Sequence, residues 1–143
     1  MARIDFAFGA TEKIAQACQT TLKQYLAGHK LLVYCRDTKR LNTYDTKLWG
    51  VEPTAFVPHV MATDPLAEQT PIWLVSADLE QALARAPADA WLLNLDEHCP
   101  PTLGNTARVL EIVSEDEDDK AAARTRWAQY KADGHELKAH RLS

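Results

Sequence analysis

The side chains best suited to holding a ligand lie in the last third of the 143-residue sequence. Lys120, Arg124 and Lys131 are spaced i, i+4 and i+11, which on a helix turning 100° per residue puts them within about 40° of one another. They form a basic stripe. Ala123, Trp127 and Tyr130 fall on the neighbouring face, where rings can pack on a sheet and leave their edges near the cations. An apolar slot rimmed with positive charge suits a short peptide ending in an apolar residue and a free carboxylate. Guanidinium takes a carboxylate bidentately while a ring fills the slot. The same spacing also fits a merely solvated helix face. Arg126 points elsewhere on the wheel and reads as a solubilising charge. The run Glu115 to Asp119 is acidic, as the macrodipole favours at a helix start, yet it stands beside the anion site.

Other residues could do covalent or acid–base chemistry. Cys35 ends a strand candidate, and five histidines are available as a base, but free cysteines are commonly buried hydrophobes and nothing orders a triad. Asp96 and Glu97 follow another strand candidate, where α/β enzymes often keep catalytic groups and where carboxylates are equally often just solvated. His98 beside Cys99 lacks a second ligand pair, so no metal is expected. Neither GxGxxG nor GxxxxGK followed by Ser or Thr occurs, and five glycines are few for a phosphate cradle. No cofactor is expected. A small nucleotide-handling enzyme using Asp96, Glu97 or Cys35 is one reading these residues leave open.

The elements that must position these groups are legible as patterns. Ile4 to Phe8 alternates apolar residues like a half-buried strand, broken by Gly9. Thr11 is the expected cap of a helix running to about Ala27, which Gly28 ends. Leu31 to Cys35 is a continuous apolar run, as in a parallel strand covered on both faces. Asp37 caps a second helix carrying Leu41, Tyr44, Leu48 and Trp49, with Gly50 and Pro53 at its end. Further strands are expected at Pro71 to Val75, Ala90 to Leu95 and Arg108 to Val113, with a helix from Asp78 to Ala86. A last helix runs from about Asp116 to Asp133 and stops at Gly134. The fold class is α/β: a Rossmann-like three-layer domain with a mixed, mostly parallel sheet of about five strands and no phosphate loop.

The bulk numbers bound the rest. With 46% hydrophobic residues, 143 residues fit one compact domain spanning 1–143. A net charge of -4 disfavours broad attraction to DNA, which rewards a basic surface through counterion release. Cys18, Cys35 and Cys99 are odd in number and far apart, fitting reduced thiols. The N-terminal stretch has no signal-peptide core and no segment approaches the ~20 apolar residues of a membrane span, so a soluble cytoplasmic protein is expected.

The segment LWGVEPTAFVPH, residues 48–59, closely resembles an LWxxxPxSFxPH-like signature of the chi-subunit family of bacterial DNA polymerase III. KAAARTRWAQYKADG, residues 120–134, resembles the last helix of that family, and KLLVYCRD, residues 30–37, its second strand. The resemblance runs from Phe6 to Leu137. It implies a non-enzymatic adaptor of the clamp-loader complex that meets DNA only indirectly. By motif position it implies a site for the tail of single-stranded DNA-binding protein at Val113, Lys120, Arg124 and Trp127, with Lys131 in the same stripe and Arg124 as the carboxylate clamp. The family is less acidic at the positions of Glu115 to Asp119, which implies weaker or more salt-sensitive tail binding here. Trp49, Phe56, Val57 and Pro58 fall in the region where the family meets its psi subunit, a surface that also serves a helicase-type partner. From spacing alone Trp49 and Phe56 read as closing the core; the resemblance makes an interface role equally open, above all for Phe56. His59 is expected to be structural.

Overall fold

The computed structural model describes residues 1–52, 54 and 56–142. In chain order the elements are β1 (Arg3–Ala10), α1 (Lys13–Leu26), β2 (Leu31–Tyr34), α2 (Thr38–Trp49), β3 (His59–Met61), a short 3-10 turn (Ala67–Gln69), β4 (Ile72–Val75), α3 (Leu79–Arg85), β5 (Trp91–Asn94), β6 (Arg108–Ser114), α4 (Glu117–Ala132) and β7 (Glu136–Arg141). The strands form one sheet in the order β3-β4-β2-β5-β6-β1-β7, every pairing parallel. The α/β expectation holds, with two corrections: no antiparallel pair is present among the described residues, and the strands number seven rather than about five. The extra two, β3 and β7, lie at the edges, where strands need little apolar sequence because one side stays in water.

Two apolar layers cover the sheet. Ile4 and Phe6 of β1, Leu79 and Ala82 of α3, and Ala123 and Tyr130 of α4 belong to one buried cluster. Ile14, Ala17 and Cys18 of α1 and Leu41, Tyr44 and Leu48 of α2 belong to the other. Gly9 does not end β1 as expected. The register shifts between Phe8 and Ala10, and with φ at +90° Gly9 adopts a backbone that other residues rarely take. The bulge switches alternation, so Phe8 packs with the α4 layer and Ala10 with the α1 layer.

Helix ends follow side-chain chemistry closely. Thr11 was the expected cap of α1, but Glu12 takes that role, its carboxylate accepting from the Ala15 amide. Asp37 caps α2 through Lys39 and Arg40, and Gly50 follows its end as expected; Pro53 lies outside the described residues. Asp116 accepts from the Asp119 amide at the start of α4, and Gly134, at φ +85°, ends it.

Arg126 overturns its reading as a solubilising charge: it is 1% exposed. Its Nε donates to Glu111 Oε1 at 3.1 Å and its Nη1 to the Glu97 carbonyl at 2.9 Å. The other Glu111 oxygen accepts from Tyr130 at 2.6 Å and Asn94 at 2.8 Å. Complete burial raises the Glu111 pKa, with the Arg126 charge and the Tyr130 and Asn94 donors opposing it. The buried pair ties α4 to β5 and β6. Removing one member leaves an uncompensated charge in the interior, so Arg126→Ala is expected to lower unfolding free energy by about 3–5 kcal/mol. Replacing both partners together by Leu and Met should recover much of that loss, and urea unfolding of the single and double variants is the check.

Candidate functional site: a cation-rimmed slot between α4 and the sheet edge

The N-terminus of α4 is pinned before any ligand arrives. One Asp119 oxygen accepts from the Ser114 amide at 2.7 Å and its hydroxyl at 2.9 Å, and the other meets Lys13 Nζ at 2.9 Å. Burial pushes the Asp119 pKa up, but the Ser114 donors and Lys13 outweigh it and the net direction is down. With α4 held there and by Arg126 further along, its outward residues have fixed positions.

Between α4 and β1, β6 and β7 lies a cavity of about 270 Å³. Phe6, Phe8, Val113, Ala123, Trp127 and Ala139 make its walls, and Lys120 and Arg124 bring cations to it. Phe6 and Trp127 pack ring to ring with centroids 5.1 Å apart, so the aromatic wall is braced from the sheet. Four of the five residues expected for the tail site, Val113, Lys120, Arg124 and Trp127, therefore meet around one cavity. Lys131 does not: it shares their stripe but lies in the last turn of α4, beyond the cavity lining, where it complements the helix C-terminus. Tyr130, expected to leave its ring edge near the cations, is instead buried with its hydroxyl on Glu111. Phe6, Phe8 and Ala139 were not foreseen as lining. The alternation of β1 marked both phenylalanines as one buried face, but only the strand order puts that face under α4.

The acidic run also has a defined effect. Lys120 Nζ lies 3.1 Å from Glu117 and 3.9 Å from Glu115, so much of its field is answered locally. Arg124 is exposed and makes no ion pair among the described residues.

A second surface lies at the opposite sheet edge. Trp49 is 50% exposed and Phe56 65%, their ring centroids 5.2 Å apart, and Trp49 packs at a tilt against His59 with centroids 4.1 Å apart. The structure thus places both rings outside the core, as an exposed aromatic pair of the sort that anchors partners. Val57, expected at the same interface, is instead buried in the α1 and α2 layer. Pro58 is half-buried. His59 is structural as expected, its Nδ1 on the Val57 carbonyl at 2.7 Å and its Nε2 2.8 Å from Asp45.

A family model described as DNA polymerase III chi subunit, HolC, matches residues 1–138. The chain belongs to the DNA polymerase III chi subunit family. A DNA polymerase III subunit chi from Pseudomonas aeruginosa is 28% identical, the match covering 99% of this chain and 98% of that protein. One from Haemophilus influenzae is 27% identical over 85% of this chain and 81% of the relative. No helix among the described residues is long and apolar enough to cross a membrane.

This chi-family chain also has a crevice where an enzyme of its architecture would keep a ligand. The connection after β2 runs toward β3 and that after β5 toward β6, so the strand order reverses between these neighbours. Arg36, Asp37, Arg40, Asp96, Glu97 and His98 line a cavity of about 290 Å³ there. Asp96, Arg36 and Arg40 are occupied in holding loops together, while the Glu97 and His98 side chains are exposed. Asp96 accepts from the Arg36 amide at 2.9 Å, from its guanidinium at 3.2 Å and from the His98 amide at 3.2 Å. Burial raises its pKa, but these donors outweigh the burial and the net direction is down. Arg40 donates to the Leu95 carbonyl at 2.7 Å. Cys35 is fully buried and absent from the lining, and burial raises its thiol pKa. Cys99 is pushed up to about 11 by the same cause, with Glu111 adding to it. No group of three or more potential metal-ligating side chains occurs among the described residues.

Two outcomes follow from these environments. Cys18, whose thiol burial pushes up to about 12, and Cys35 should resist a thiol reagent at pH 8 in the native protein and react once it is unfolded; prompt native labelling would contradict the burial argument. Asp119 has a folded pKa below its unfolded value, so its stabilising effect is present above the ordinary aspartate pKa and lost as pH falls through the lowered one. Asp119→Asn should therefore be less stable than the parent at pH 7, and the gap should close on acidification below pH ~4, measured by denaturant unfolding across pH.

Proposed function

We propose that the chain is a non-catalytic, cytoplasmic adaptor of the DNA polymerase III clamp-loader complex. In this reading the slot holds the C-terminal tail of single-stranded DNA-binding protein, and the Trp49 and Phe56 surface holds the psi subunit or a helicase-type partner. The observation that carries it is the cavity itself. Six apolar residues surround a space beside Lys120 and Arg124, which is the environment an acidic peptide ending in phenylalanine requires. The terminal ring enters the cavity, and Arg124 takes the terminal carboxylate in two parallel hydrogen bonds.

Membership of the chi family supports the replication context. The printed names of the Pseudomonas and Haemophilus relatives agree with it. A short tail buries little surface, so a single contact is expected to be weak, on the order of micromolar. Retention on coated DNA then comes from many tails presented together. The alternative enzyme reading draws little support from the β2–β5 crevice, where Asp96, Arg36 and Arg40 are already partnered and Glu97 stands exposed with no second group ordered beside it. A nucleotide present at 100 times its dissociation constant would stabilise the fold by about 2.7 kcal/mol, so a thermal-shift screen with nucleotides should show no such effect.

The test is calorimetric titration with a synthetic acidic tail peptide and with the same peptide lacking its terminal phenylalanine. Saturable binding to the first only is expected. Arg124→Ala should abolish measurable binding while changing stability by no more than about 0.5 kcal/mol, because the side chain is exposed. Unchanged affinity in that variant would overturn the clamp assignment. For the second surface, Phe56→Ala should leave the fold intact and cost the psi contact roughly tenfold or more in affinity, read by co-purification and interferometry.

A further inference from the structure

We infer that Arg141, on the edge strand β7, is a second anion-binding group of the slot and engages an acidic side chain of the bound peptide upstream of its terminal carboxylate. The inference rests on the tail-binding reading and adds a residue and a direction to it.

Three observations converge. The first is register. In the parallel pairing of β1 with β7, Phe6 stands opposite Ala139 and Phe8 opposite Arg141. Paired residues project from the same face of a sheet. Phe6, Phe8 and Ala139 all line the slot, so Arg141 is carried on the slot face of β7, one step beyond Ala139 on that face. Its guanidinium carbon lies 5.6 Å from the Phe8 ring centroid, close enough for a cation–π contact that holds the charge beside the cavity wall.

The second is availability. Arg141 is exposed and makes no ion pair among the described residues, whereas the other basic residues of β7 have acidic partners. Lys138 lies 3.8 Å from Glu136, and His140 lies 2.9 Å from Asp5, on the opposite side of the sheet.

The third is charge placement. Around the slot, Glu115 and Glu117 answer Lys120, which leaves Arg124 as the cation of the lining without an ion pair among the described residues. An acidic peptide needs a further positive group beyond that clamp, away from the acidic start of α4. Arg141 supplies one, from the strand wall that faces α4. A peptide whose terminal carboxylate sits on Arg124 then finds its upstream acidic residues opposite a free guanidinium on β7, while the acidic start of α4 repels them from the other side. The preceding carboxylates are thereby directed toward β7.

The experiment is a thermodynamic cycle on the full chain. Parent, Arg141→Ala and Arg141→Lys are titrated with a synthetic acidic peptide ending in phenylalanine, and with a version whose upstream acidic residues are amides. Arg141→Ala is expected to weaken the acidic peptide roughly threefold to tenfold, Arg141→Lys less, and the log–log salt dependence of the affinity should flatten. Against the amide peptide, Arg141→Ala should have no effect. Parent binding with unchanged affinity in Arg141→Ala overturns this inference and leaves the tail reading standing. An equal loss against both peptides also overturns it, because Arg141 would then be acting by packing on Phe8 rather than through charge. Failure of the parent to bind either peptide removes the tail reading and this one with it.

Discussion

The buried ion pair of Glu111 and Arg126 sets the geometry of everything built on α4. A carboxylate and a guanidinium withdrawn from water tolerate little displacement, because each depends on the other and on the surrounding donors and acceptors for compensation. Here those are the Tyr130 hydroxyl, the Asn94 amide and the Glu97 carbonyl, so a single network spans α4, β5, β6 and the loop after β5. It determines how α4 is rotated about its axis. With Arg126 turned into the sheet, Lys120 and Arg124 must face outward and Trp127 must stand half-buried on Phe6. A specific buried polar contact thus orients an exposed functional face.

The two candidate surfaces occupy opposite ends of the sheet. The slot uses β1, β6 and β7 under α4, whereas Trp49 and Phe56 sit where α2 ends and β3 begins, at the other edge strand. Three strands, β4, β2 and β5, separate them, so occupation of one surface leaves the other open. The slot is walled by a helix and strands rather than by loops, which limits the entropy lost in ordering its walls. Trp49 stands at the end of α2 and is braced by buried His59, with Phe56 against it.

Net charge and local charge pull in different directions. The chain carries -4 overall, which argues against a general affinity for nucleic acid, yet it places a few cations around a small cavity. In that setting individual partners decide what each cation can do. Lys120 is partly neutralised by Glu115 and Glu117, while Arg124 is free of ion pairs among the described residues. Composition alone would have assigned the two the same role.

The α/β class, the four helices and the five inner strands were legible in the sequence, because amphipathic spacing and buried apolar runs reflect local burial that each segment carries with it. Leu31 to Tyr34 is the clearest case: covered on both faces, it is apolar throughout. Arg124 and Trp127 were legible as well, from helical spacing and a family-like motif. What lay beyond the sequence were the features set by neighbours distant along the chain. The edge strand β7, Glu136 to Arg141, has no apolar pattern because one side of it faces water, and it becomes a strand by pairing with β1. Arg126 is read as a surface charge until Glu111 is seen beneath it, and Lys131 shares a stripe with Arg124 but lies beyond the end of the cavity. Helical and strand periods state which residues share a face; only the packed sheet decides what that face meets, because burial, pairing and enclosure are properties of the partners as much as of the residue.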